Sequence, residues 1–474
     1  MCANRVISSR LIVSFLVLGT LAAAPVEAQV PATQSQPAAA TATPEQHQHP
    51  PPQAPTDHTQ HGPEAMALFP TRDASGTAWL PNESPMYGIH RPFGSWHVMG
   101  HGALFAQFLY DGGDRGEDQF GSINWLMGMA YRNVADGRLG LRGMLSFEPW
   151  TVRGCGYPDL LATGERCEGE PIHDRQHQHD LFMELAAQYD RPLAGSLRWQ
   201  VYGGPVGEPA LGPVAYPHRT SAMPNLLAPI AHHWLDATHI TFGVVTAGVY
   251  SDRWKAEASA FNGREPDEDR TNFDLAPLDS VSGRVWFLPT PHLALQISAG
   301  RLTEAEPAED SGPRIDVARV TASATYHRAL QAGGIWATTA AWGNNAEGDH
   351  STNALLVETN FTLADRDAWF GRLEFVGKTA HDLDLRDVDG AERFTVVKLQ
   401  GGYTRYLGAW KGVKPGFGVS ASAGLVPRAL ETAYGGRVNP GIGVFFTIRP
   451  AAMRMPAAGI RRPASDEIPM LLAH

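Results

Sequence analysis

Cysteine is scarce, basic residues are in the minority, and long apolar runs are missing. The chain holds three cysteines, and its 38 Lys and Arg are outnumbered by 49 Asp and Glu, for a formal net charge of −11. A nucleic-acid partner wants a basic face, so that class is excluded, while small cations are not. Beyond the N-terminus no stretch of 18 apolar residues occurs, so no transmembrane helix is expected. No H-E-x-x-H occurs, nor any G-x-S-x-G with strand–helix context. Ser221, His232 or His233, and Asp236 share one loop, but nearness in sequence alone does not make a catalytic triad. The chain therefore reads as no enzyme, and an outer-membrane hydrolase ranks third among the readings.

What is present begins with an export signal. Arg5 and Arg10 precede an apolar stretch of 14 residues, Leu11 to Ala24. Val26-Glu27-Ala28 fits a small-x-small cleavage site, so residues 1–28 read as a signal peptide and Gln29 as the mature start. Cys2 lies before the apolar stretch and is not a lipid acceptor. Cys155 and Cys167 flank a turn-rich segment, and in an exported chain a disulfide is expected over a thiolate metal site. Residues 29–66 are rich in Pro, Ala, Gln and Thr and carry His47, His49, His58 and His61. They read as a disordered linker able to bind transition metals loosely. Residues 67–95 form a lead-in segment.

From Trp96 on, the hydrophobicity alternates with period 2, as in strands. Ile123, Trp125, Met127, Met129 and Tyr131 oppose Ser122, Asn124, Gly128 and Arg132. Leu139, Leu141 and Leu145 oppose Arg138, Arg142 and Ser146. Leu355, Val357, Phe361 and Leu363 oppose Glu358, Asn360 and Thr362. The stretches approach the ~9–11 residues that a tilted strand needs to cross a bilayer. Trp125, Tyr131, Tyr189, Trp199, Trp254, Tyr403 and Tyr406 stand near stretch ends on the apolar face, as an interfacial girdle would. The opposite face carries Arg138, Arg142, Glu148, Glu184, Arg198, Lys255, Glu257, Arg284, Arg372, Glu374 and Lys398, which suits a lumen.

Connection lengths support the same conclusion. Short ones fall at Ala135-Asp136, Asp190 to Gly195, Ser251-Asp252, Pro289 to Pro291, Leu330 to Gly333, Ala364 to Asp367 and Gly408 to Val413. Longer ones alternate with them: Asp111 to Gln119, Thr151 to His179, Gly204 to Ala237, Gly263 to Asp279, Thr303 to Pro313, Asn344 to His350, Lys378 to Arg393 and Pro427 to Arg437. A membrane barrel carries tight turns on one side and loops on the other. The expected fold is all-β: a transmembrane antiparallel β-barrel of about 16 strands over residues 96–451, with short periplasmic turns and long external loops. Residues 452–474 form a tail. The expected location is the bacterial outer membrane, with bilayer lipid, barrel-assembly machinery and small ions as partners.

Three histidine groups are candidate metal sites. His173, Asp174, His177, His179 and Asp180 end the second long loop. His232, His233, Asp236 and His239 end the third, whose six prolines from Pro205 to Pro229 argue for a defined path. His97, Met99 and His101 share one face of the first strand. Imidazole and thioether donors suit copper or zinc, with carboxylates orienting the rings. The competing reading is polar loops and a mixed lumen wall with no metal.

The stretches Leu141 to Trp150, Gly154 to Leu161, His173 to Glu184, His233 to His239 and Phe261 to Asp267 resemble a family of uncharacterised bacterial outer-membrane β-barrel proteins met in copper and other heavy-metal resistance contexts. The resemblance covers roughly residues 69–451. It implies metal handling by context and carries over no binding residue. The expected function is a porin-like channel or metal-associated factor. A plugged structural or surface-binding barrel without transport is the alternative.

Overall fold

The computed structural model describes residues 68–225, 227–306, 314–348, 350–385, 388–390 and 392–453. The signal peptide, the linker and most of the tail lie outside them. The strands are β1 Ile89–Phe93, β2 Trp96–Asp111, β3 Asp118–Val134, β4 Gly137–Leu145, β5 Tyr157–Cys167, β6 Glu170–Gln176, β7 Phe182–Ala194, β8 Leu197–Val206, β9 Val244–Tyr250 and β10 Trp254–Phe261. They continue as β11 Ser280–Thr290, β12 Leu293–Glu306, β13 Ile315–Ala329, β14 Ile335–Glu347, β15 His350–Leu363, β16 Asp367–Thr379, β17 Arg393–Tyr406, β18 Val413–Leu425 and β19 Val438–Pro450.

Sixteen of these form a closed antiparallel ring: β2, β3, β4 and β7 to β19, each paired with the next. β19 pairs back onto β2, with Ile442 opposite Tyr110 and Val444 opposite Phe108. Closure leaves no open edge, which is the condition for strands in lipid. β1 continues the pairing along β2 where β19 stops, with Ile89 opposite Gly100. β5 and β6 form a separate hairpin.

Outward-facing side chains are apolar. Leu355, Val357, Leu399, Val419, Ile442 and Val444 are all exposed, while Glu358, Asn360, Lys398 and Gln400 on the other faces are buried. Exposed aromatics mark both rims: Trp254, Trp336, Trp369 and Phe417 near the tight turns, and Tyr110, Phe120, Trp342 and Phe375 near the loops. That surface belongs in a bilayer. The chain is a bacterial outer-membrane β-barrel.

Several expectations need correction. Trp125, Tyr131 and Tyr406 are not girdle residues; they are buried inside, at 8%, 1% and 1% exposure. Along β3 the apolar face with Met127 and Met129 points inward, and Leu126 and Gly128 point outward. Alternation names two faces, but it cannot say which one meets lipid when the lumen also holds protein. Asn344 to His350 is not a long loop, because β14 runs to Glu347 and β15 starts at His350. Two other turns sit slightly later than expected, at 195–196 and 291–292.

An outward position tests the bilayer assignment. Leu355→Arg, in the middle of β15, should cost about 2–4 kcal/mol of folding free energy in vesicles, and Val438→Arg at the rim about 0–1. Equal costs in a denaturant titration would contradict a lipid-facing belt.

Candidate functional site

The lumen is filled by the chain itself. Three segments enter it, and each carries peptide groups that need partners. The inward charges of the wall supply many of them.

Residues 68–85 form a strap across the periplasmic end. Arg138 donates through Nη1 to the Leu68 carbonyl at 2.9 Å and also pairs with Asp73 and Asp190. Arg142 donates to the carbonyls of Gly76 at 2.8 Å and Ala74 at 2.9 Å, and pairs with Glu184 at 3.0 Å. Lys255 donates to the Thr77 carbonyl. Arg284 reaches the Thr77 hydroxyl at 3.1 Å and pairs with Glu257 and Glu208. Trp79 is buried edge-on against Tyr250, under the Arg72 guanidinium.

The β5–β6 hairpin enters from the opposite end. The Cys155–Cys167 disulfide ties the residue two before β5 to the last residue of β5, beside the 168–169 turn. Lys398 holds Asp159 at 2.7 Å, and Arg115 holds Asp174 at 2.6 Å. Leu160, Leu161 and Ala162 pack with Trp234, Leu356 and Val376 in an apolar cluster inside the barrel.

The third segment is the connection between β8 and β9, residues 207–243. Arg219 is its pivot: it pairs with Asp236 at 2.6 Å and with Glu358 of β15 at 2.7 Å. Arg372 pairs with Glu358 and donates to the Leu227 carbonyl, and Glu374 accepts the Ala231 N–H. The short helix His232–Leu235 lies on β14 at Gly343, where a Cβ would come within 2.2 Å of the Trp234 carbonyl oxygen. Only glycine allows that approach.

This third segment and the hairpin end bring five imidazoles together. Ring centroids are 6.0 Å apart for His177 and His233, 5.5 Å for His232 and His233, 5.1 Å for His232 and His239, and 5.4 Å for His179 and His239. Asp236 accepts from His232 Nδ1 at 2.9 Å. His179 lies between the Glu148 carboxylate at 2.9 Å and the Tyr216 hydroxyl at 2.9 Å. His177 and His233 face Glu165 and Glu265 across a cavity of about 30 Å³, which Glu306 and Arg319 also line. Asp180 stands 3.6 Å from Arg270.

Among the described residues, no group of three or more His, Cys, Asp or Glu side chains is placed to hold a metal ion. His173 stands apart at 3.7 Å from Asp384. His101 meets Met127 with Nε2 and Sδ 3.0 Å apart, whereas His97 is paired in register with Tyr131, closer to the rim. Ser221 is not joined to His232 or His233, since its Oγ bonds Glu358 and Thr339. Of the expected lumen charges, nine are buried on strands and Arg198 is half-buried there; Glu148 is buried too, but on the short helix Glu148–Thr151 that follows β4.

Burial shapes the cluster's proton affinities. It lowers His232 to about 4 against the pull of Asp236, and holds His177 and His239 well below the ordinary range. Burial acts the same way on His179, but the Glu148 carboxylate outweighs it and raises that ring. Burial lifts Asp180 to about 7 and raises Glu165, while on Asp236 the Arg219 guanidinium overcomes burial and keeps the carboxyl low.

The strap, the hairpin and residues such as Met86 and Met223 were not anticipated as site elements, whereas His218 belongs to the third long loop singled out for its histidines. The weak signal for the strap was its buried-type composition, Ala78-Trp79-Leu80, ahead of the first strand.

No protein-family model matches the chain, and no curated protein does. The copper context that the sequence resemblance implied finds no support there. Among solved structures, the chain is similar to OmpF of Salmonella typhi in complex with daunomycin, at 11% identity over 76% of this chain and 100% of that one, TM-score 0.47. It is also similar to an anion-selective porin from Comamonas acidovorans, at 11% identity over 75% and 99%, TM-score 0.44. A third is the outer membrane channel DcaP of Acinetobacter baumannii, at 9% identity over 77% and 100%, TM-score 0.42. The closed ring described above makes the fold a porin-like outer-membrane barrel in its own right.

A pH test follows from the imidazoles. His232 titrates near 6.5 unfolded and about 4 folded, so its stabilising contribution is complete above 6.5 and is lost as pH falls through 4. The full span is on the order of 3 kcal/mol. His232→Gln should therefore flatten the decline in amide protection of residues 229–241 between those limits, measured by hydrogen exchange corrected for intrinsic rates. An unchanged pH profile would contradict the assignment.

Proposed function

We propose that the protein is an outer-membrane channel held closed by its own chain, which passes small cations when the periplasmic strap moves. The observation that carries this reading is the strap's attachment. It is held through backbone carbonyls and a hydroxyl to Arg138, Arg142, Lys255 and Arg284, polar contacts that water can replace. Trp79 is one of its buried apolar anchors, with Leu68 and Phe69. Cations are the assigned solutes because Glu165, Glu265 and Glu306 line the cavity beside the imidazoles. We extend the reading to metal handling on one ground, the gathering of five histidines on two inward segments.

Truncating the anchor separates this reading from its rival. Trp79→Ala should weaken strap docking by about 3–5 kcal/mol. In planar bilayers the wild type should stay mostly closed, and the variant should show long-lived, cation-selective openings. A variant as silent as the wild type would replace the channel with a non-conducting plugged barrel.

A further inference from the structure

Between the strap and the inward loop lies a cavity of about 140 Å³. Its wall is made by β2 and β3. There, His101 stands directly across from Met127, and Met99 directly across from Met129. Directly opposed side chains on neighbouring strands have Cβ atoms about 4.5–5.5 Å apart, and the next pair along lies ~6.5–7 Å away. The result is a square of three thioethers and one imidazole on a rigid wall. His218 and Met223 close it from the loop above, and Met86 from the strap side.

Five of the chain's twelve methionines thus line one cavity. Methionine often fills gaps in cores. Here the space is left open, and the imidazoles point to a different role. The His101 Nε2 and Met127 Sδ atoms are 3.0 Å apart, so an imidazole and a thioether donor already meet at one point of the cavity wall. The His218 ring lies 5.6 Å from that of His101 and 4.8 Å from that of Trp125. Alone between Leu211 and Thr220, His218 is not fully buried.

We propose that this chamber binds a soft monovalent cation, cuprous or silver ion, through Met127, Met99 or Met129, and the imidazoles of His101 and His218. Thioether and imidazole donors are neutral and select soft ions. A single positive charge also suits the chamber better than a double one, because the cost of desolvating an ion rises steeply with its charge. Arg142 and Arg219 border the cavity, but their guanidinium groups are already paired with Glu184, and with Asp236 and Glu358. The Asp73 carboxylate also borders it. The site differs from the external histidine cluster in place and in ligand chemistry. Binding is read without conductance, so it stands or falls apart from the channel reading.

The test is silver-ion titration of the full mature chain, refolded in detergent and free of chloride. The wild type should show one tight site. Met127→Leu/Met129→Leu, a volume-conserving change, should weaken that site at least about tenfold. His350→Gln, an exposed imidazole beside Arg393 and away from the chamber, should leave it intact. X-ray absorption of the silver-loaded wild type should show both sulfur and nitrogen neighbours, a result that needs no variant. Wild-type affinity in the double leucine variant, or a first shell without sulfur, would overturn the proposal.

Discussion

Ring closure by the β19–β2 ladder is the constraint on which everything else depends. In hydrocarbon, each peptide group must find its partner within the protein, because water is not there to serve. Sixteen strands meet that demand for the wall, and in doing so enclose a wide lumen. Water or protein must occupy that space. Here three chain segments do, and each brings its own unpaired peptide groups inward. The charges on the inner wall are best understood as their partners. Arg142 serves two strap carbonyls and Glu184 at once; Arg372 serves Glu358 and a loop carbonyl. Leaving such a buried charge unpaired would cost far more than pairing it.

This arrangement divides the interior into levels. The strap floors the periplasmic end, the hairpin and the β8–β9 connection fill the other, and the methionine-lined chamber lies between. The two donor environments are not equivalent. The external cavity mixes imidazole with carboxylate, whereas the chamber offers thioether and imidazole. Tyr216 backs the external cluster, touching His239 and bonding His179, on the same inward segment that carries His218 into the chamber. Moving that one segment would therefore disturb both environments together, with Arg219 as the mechanical link through Asp236 and Glu358.

The barrel was legible in the sequence because lipid imposes a simple rule on every strand. Leu355, Val357 and Leu399 alternate with Glu358 and Lys398, and that alternation carries through to the structure. On β3 the rule misled. Met127, Met129 and Tyr131 pack on protein inside the barrel, and Gly128 faces out. A period-2 pattern measures the difference between two faces, and a plugged lumen can be the more apolar of the two. His177 and His233 were identifiable as chemistry, but their meeting depends on Gly343, on Arg219 and on the path of a proline-rich loop. Those are long-range contacts that no local pattern encodes. His173 and His97 had the same local credentials and ended up elsewhere.

The inversion of β3 and the filling of the lumen are one fact seen from two sides. Had the lumen been open to water, Met127, Met129, Trp125 and Tyr131 would have stood as a solvated apolar strip, at a cost that scales with the area left wet. The strap removes that cost: Phe69 packs edge-on against Tyr131, and both belong to the same buried cluster as Met127 and Met129. The chain thus places its most apolar inner strand where its own plug can cover it, and keeps Lys255, Glu257 and Arg284 where the strap needs hydrogen-bond partners. Wall and plug are complementary in both respects, so a sequence change that expels the strap should expose methionine and aromatic surface as well as opening a path. Expelling the strap therefore carries a cost that grows with the methionine and aromatic surface it uncovers.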